Sequence, residues 1–138
     1  MITAVDTNVL LDVFGADDRF GPLSAEAIRQ CLRDGALIAS DVVWAETATV
    51  FGDTRRFEHA MATLPIAFAP LTQGAAVRAA LAWRRYRASG GPRQRIAADF
   101  LIGAHALTVA DRLLTRDHGF YRRYFAGLRV IEPSHDKP

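Results

Sequence analysis

Five short apolar runs punctuate the chain, at residues 2–5, 36–39, 66–71, 113–115 and 128–131, and the sequence between them has the spacing of amphipathic helices. Runs this short and this apolar cannot face water on one side, so they belong in a parallel sheet covered by helices on both faces. The expected fold is α/β: one domain over residues 1–132, with a central parallel sheet of four to five strands flanked by helices, and a disordered tail over 133–138. The helix signals agree with that order. Asp6-Thr7-Asn8 offers capping chemistry after the first strand, Leu23, Ala27, Ile28 and Leu32 share a helical face, and Gly35 is a stop. Ser40-Asp41 opens a helix through Val42, Val43, Trp44 and Glu46. Further helices are expected over 54–63, over 73–87, through Phe100, Gly103, Ala104 and Leu107, and briefly between the last two strands. Gly90-Gly91-Pro92 opens a flexible basic loop.

A chain of 138 residues is long enough to bury a single core without covalent staples. Cys31 is the only cysteine, which excludes an intramolecular disulfide and a cysteine-based zinc site and points to a reducing compartment. No run is apolar for long enough to cross a bilayer or to act as a secretion signal, so a cytoplasmic protein with no membrane partner is expected.

Four acids stand out by position. Asp6 ends the first strand, Asp117 lies two residues past the fourth, Glu46 falls in the second turn of its helix, and Asp99 borders an apolar helical stripe. In doubly wound sheets the ligand crevice lies beyond the carboxyl ends of the strands, where strand order reverses, and all four acids can converge there. Carboxylates gathered without basic partners repel one another unless a divalent cation neutralises them. Mg²⁺ or Mn²⁺ suits such oxygen ligands and is commonly held by one or two carboxylates plus a substrate phosphate. That chemistry points to phosphodiester hydrolysis.

The distribution of charge points the same way. Residues 59–138 carry twelve of the basic residues against five acids, and no acid falls between Glu58 and Asp99. Arg84, Arg85, Arg87, Arg93 and Arg95, together with His118 beside Asp117, are the candidate nucleic-acid contacts. Trp83 and Tyr86 are interleaved with them, as a single-strand binding surface would want. The alternative for this helix is a solvated arginine face with Trp83 and Leu81 packed inward, and both readings can hold together. Asp41 suits a helix N-terminus, and Asp12, Asp17, Asp18 and Asp111 read as ordinary turn or surface acids.

The segments Asp6-Thr7-Asn8, Ser40 to Glu46, Asp99 to Ala104 and Thr115 to Phe120 resemble, in type and order, the motifs of PIN domains, and the chain is most similar to VapC toxins of bacterial toxin-antitoxin pairs. The resemblance implies a Mg²⁺- or Mn²⁺-dependent endoribonuclease, a homodimer, and inhibition by a VapB-type antitoxin. By the same resemblance Asp6, Asp99 and Asp117 are metal ligands, with Glu46 acting directly or through water. Thr115 supplies a supporting hydroxyl, and Asn8 supports at most. Gly103 stands where alanine is common in the family, a departure expected to affect helix packing more than chemistry. The alternative is a catalytically silent module of the same fold that binds RNA or protein. Phosphotransferases and receiver domains with an aspartate after the first strand need a lysine near the phosphoryl group, and the only lysine here is Lys137. No P-loop sequence is present.

Overall fold

The computed structural model describes residues 1–91 and 97–134. Five parallel strands, β1 (Ile2–Val5), β2 (Ala36–Ala39), β3 (Ile66–Phe68), β4 (Arg112–Leu114) and β5 (Val130–Ile131), form one sheet in the order β3-β2-β1-β4-β5. Seven helices connect them: α1 (Thr7–Phe14), α2 (Gly21–Asp34), α3 (Asp41–Ala48), α4 (Thr54–Ala62), α5 (Gln73–Ala88), α6 (Ala97–Val109) and α7 (His118–Tyr124). The expected α/β architecture is therefore present, with all five strands. Strand order reverses between β1 and β4, which places the crevice where Asp6 and the Thr115–Asp117 turn leave the sheet.

Local chemistry explains the boundaries. Ser40 caps α3 by accepting from the Val43 amide, Asp53 caps α4 through Arg55, and Thr72 caps α5 through Ala75. β3 stops three residues earlier than its apolar run, because Pro70 cannot donate to a ladder; the last rung is the Ala69 amide on the Ala39 carbonyl, at 2.9 Å. β5 is also shorter than its run, since Gly127 turns the chain at φ 89° and Leu128 bonds back to Phe125. The expected basic loop and the end of the tail, residues 92–96 and 135–138, lie outside the described residues.

The core runs from the sheet into an aromatic layer beneath α5, α6 and α7. Phe100 is fully buried among Trp83, Tyr86 and Phe120. Tyr86 is thus a core residue rather than a platform for RNA, and Trp83 lies stacked on Phe100 at 5.6 Å between centroids. Leu81, expected to pack inward, is instead 47% exposed beside Val77 at 57%, because Ala75, Ala79, Ala82 and Tyr86 form the buried face of α5. Asp12, read as a surface acid, is buried; its partners lie far along the sequence and are described below. Cys31 packs in the core, and burial pushes its thiol up.

Gly103 has a steric cause. A Cβ there would lie 2.5 Å from the ring of buried Phe125, so glycine is what lets α6 approach the end of α7. Alanine gains about 1 kcal/mol in helix propensity, but overpacking a filled core costs about 1–3 kcal/mol. Gly103→Ala is expected to lower stability by up to about 2 kcal/mol in urea denaturation, with partial recovery in Gly103→Ala/Phe125→Leu.

Candidate active site

Asp6 is the N-cap of α1, and its extended backbone (φ −81°, ψ 155°) turns the carboxylate across the end of the sheet. Oδ1 accepts from the Thr7 amide at 2.7 Å. Oδ2 accepts from the Thr115 hydroxyl at 2.7 Å, from the Tyr121 hydroxyl at 3.1 Å and from Asn8 Nδ2 at 3.5 Å. These donors come from α1, the end of β4 and α7, and all are neutral. The carboxylate is 6% exposed and has no cationic partner among the described residues. Its Oδ2 group is the point to which the surrounding elements are tied.

The four expected acids reach this point by different routes. Asp99, half-buried in the first turn of α6, lies close enough for its charge to push up both the Asp6 carboxyl and the Tyr121 hydroxyl. Asp117 acts on Tyr121 in the same way. Glu46 is linked one step further out: it accepts from the Thr7 hydroxyl at 2.7 Å, and Thr7 is the residue whose amide holds Asp6. Thr115 and Asn8 both touch Asp6. Thr115 also accepts from the Asp117 amide at 3.0 Å.

Two contributors were not anticipated. Tyr121 is 1% exposed, and its hydroxyl is raised well above its usual range by burial and then by the charges of Asp6 and Asp99, so it remains a hydrogen-bond donor. The only signal for it was its place one helical turn after Asp117. Thr7 stands in the first motif, but its service to Glu46 spans 39 residues and leaves no local trace.

Among the described residues no three His, Cys, Asp or Glu side chains are already gathered as metal ligands. The donor set nevertheless suits a hard cation. It consists of carboxylate oxygens, one of them buried without a cation, and Mg²⁺ needs only one or two such groups with its waters. A closed cage of three or four acids is not required.

The proposed RNA contacts divide. Arg84 is exposed on α5. Arg85 is committed to the Tyr124 carbonyl at 2.7 Å and braces α5 against α7. Arg87 lies over the Trp83 ring, 5.0 Å from its centroid. His118 pairs with Glu132 at 3.0 Å, between the start of α7 and the segment after β5. Arg93 and Arg95 lie outside the described residues, and with them any pair between Arg95 and Asp99. His105 turns away from the acids and bonds the Ala69 carbonyl at 2.8 Å.

A reversed parallel sheet with acids at its switch point defines a small α/β class, and the sequence places this chain within it. Residues 3–126 match the PIN domain profile, and the chain belongs to that family. No curated protein matches the chain by sequence. Among solved structures it is similar to VapBC2 from Rickettsia felis bound to a promoter DNA fragment, with TM-score 0.76 and 14% identity, over 97% of this chain and 100% of that one. It is similar to VapBC-1 from nontypeable Haemophilus influenzae, with TM-score 0.75 and 20% identity, over 96% and 98%. A third likeness is to VapC20 from Mycobacterium tuberculosis, described as a toxin that cleaves the sarcin-ricin loop, with TM-score 0.64 and 18% identity, over 92% and 98%. At such identities the likeness is one of fold. No helix among the described residues is long and apolar enough to cross a membrane.

Burial raises the Asp6 carboxyl from 3.8 to about 6, against the downward pull of its Thr115, Thr7 and Tyr121 donors, and Asp99 adds to the rise. The fold therefore favours protonated Asp6. That stabilisation is complete below about pH 3.8 and is lost as the pH climbs through about 6, a span worth on the order of 3 kcal/mol. In EDTA, the unfolding free energy of the wild-type chain minus that of Asp6→Asn should fall by up to this amount between about pH 4 and about pH 7.5. Denaturant titrations at the two pH values measure it, and a constant difference would contradict the assignment.

Proposed function

We propose that this PIN domain is a divalent-metal-dependent endoribonuclease and the toxin of a toxin-antitoxin pair. The observation that supports the reading is the buried Asp6 carboxylate at the crevice between β1 and β4, held by neutral donors alone, with Asp99 and Asp117 near enough for their charges to act on its partner Tyr121. Like charges brought together in a partly buried crevice raise one another's pKa, and a bound cation is what such a place accommodates best.

Asp6, Asp99 and Asp117 would hold Mg²⁺ or Mn²⁺, with Glu46 placed to act directly or through water. When bound, the cation supplies charge to neutralise the phosphate and to acidify an attacking water. The chain's own residues do the rest. Thr115, Tyr121 and the Thr7 amide fix the Asp6 oxygens, so that the carboxylate meets its ligand without reorganising. Thr7 holds the Glu46 carboxylate, which would orient water or take its proton. Arg84, exposed on α5, and Arg93 and Arg95, which precede α6 in the sequence, would steer the RNA backbone.

RNA as substrate is supported by that arginine-rich segment and by the description of one structural neighbour as a toxin that cleaves the sarcin-ricin loop. A VapB-type antitoxin is proposed because several neighbours of the same fold are toxin-antitoxin complexes. Exposed Val77 and Leu81 on α5 offer apolar surface for the expected homodimer.

The purified chain, freed of any small co-purifying protein, is expected to cut single-stranded or looped RNA with Mg²⁺ or Mn²⁺ and to stop when EDTA is added. Asp6→Asn should reduce cleavage to the level seen in EDTA, whereas Asp111→Asn, at the opposite edge of the sheet, should leave it unchanged. Cleavage that survives EDTA, or full activity in Asp6→Asn, would refute the metal site. RNA binding without cleavage under any metal would favour the silent module.

A further inference from the structure

We infer that Arg116 and Asp12 form a brace that positions Asp117 and Thr115 for cation binding, which makes Arg116 a positioning residue of the site. The inference rests on the metal-site reading above and extends it to a residue pair outside the acids that would hold the metal.

Arg116 stands between two residues of the site but turns its side chain away from it, back to α1. Nε and Nη2 donate to the two oxygens of Asp12 at 2.7 and 2.9 Å, a fork-on-fork pair of high directional specificity. Asp12 is 4% exposed and takes a third donor, the Ser24 hydroxyl of α2, at 2.8 Å. The guanidinium lies over Phe20, 4.1 Å from the ring centroid, and the Phe20 amide is itself held by Asp17 at 2.7 Å. The main chain is gripped as well: the Arg116 amide donates to Asn8 Oδ1 at 3.2 Å. One residue is therefore anchored to α1 through both backbone and side chain, and to the α1–α2 loop through its ring contact.

The anchoring matters because of where Asp117 sits. Its backbone, at φ −111° and ψ 50°, belongs to neither strand nor helix, and its side chain makes no capping bond to α7. Helix capping therefore does not aim the Asp117 carboxylate, and the grip on Arg116 holds the turn that carries it. The Asp117 amide bonds to Thr115 Oγ1, which bonds to Asp6, so displacing Arg116 would disturb both residues at once. Stability alone is a weak reason for such a pair, because desolvation of a buried ion pair offsets much of its attraction. A second pair gives an internal control. Arg112 bonds Asp34 at 2.9 Å and Thr3 at 2.8 Å, also largely buried, but at the other end of β4.

The test is calorimetric titration of the full chain with Mn²⁺ alone, alongside urea denaturation. Arg116→Met is expected to weaken Mn²⁺ binding by about 10- to 100-fold, as removal of outer-shell partners does. Arg116→Lys, which keeps the charge but loses the fork, should fall between, Asp12→Asn should match Arg116→Met, and the double variant should be no worse than either single one. Arg112→Met should lose stability yet bind Mn²⁺ like wild type. Should Arg116→Met fail to fold, Arg116→Lys and Asp12→Asn carry the comparison. Wild-type binding with unchanged affinity in the folded brace variants, or an equal loss in Arg112→Met, overturns the brace alone. Wild-type protein that takes up no Mn²⁺ overturns the metal-site reading and the brace with it.

Discussion

Much of the structure follows from one buried carboxylate. Asp6 lies in a place where an ionised group is costly unless its lone pairs are filled, and its donors come from segments separated by more than a hundred residues. Satisfying them ties the end of β1 to the end of β4, and both to α7. The register of β1 on β4 sets Val5 beside Leu114, so the residues that follow, Asp6 and Thr115, leave the sheet together. The reversal of strand order at this pair then opens the crevice above them. Fold and site are thus two consequences of the same adjacency.

Neutral hydrogen bonds alone leave that carboxylate poorly settled. Its donors pull the pKa down, yet burial and the neighbouring Asp99 still hold it high, which is the electrostatic signature of a place prepared for positive charge. Around it the fold arranges layers of support: Thr115, Tyr121 and Asn8 on the carboxylate itself, Thr7 on Glu46, and Asp12 with Arg116 behind the turn that carries Asp117. The aromatic layer of Phe100, Tyr86, Phe120 and Tyr124 holds α5, α6 and α7 in fixed relation, and so sets where Asp99 and Tyr121 stand.

The sequence disclosed what depends on local pattern. Short apolar runs between helical stretches give a parallel sheet because few other arrangements bury them, and Ser40 and Gly35 mark helix ends through chemistry confined to a few residues. The positions of Asp6 and Asp117 after strands followed from the same pattern. What stayed hidden depends on partners far away in sequence. Asp12 looked like any surface acid because Arg116 lies 104 residues on, and Tyr121 gave no hint of the Asp6 carboxylate 115 residues before it. Tyr86 sat among arginines and read as an RNA platform, yet the small alanines of α5 draw that face inward against Phe100. Leu81 was misread for the same reason: periodicity finds an apolar stripe, and only the packing of neighbours decides which stripe is buried.

The central claim is that Asp6, Asp99 and Asp117 form one cation site at the carboxyl edge of the sheet. Anomalous diffraction from crystals of the chain grown with Mn²⁺ tests it most directly. The account predicts a peak in the crevice between β1 and β4, at roughly 2 Å from an oxygen of Asp6 and of at least one of the other two acids, as expected for a small hard cation. A fully occupied Mn²⁺ elsewhere on the protein, with these carboxylates bonded only to protein and solvent, would contradict it.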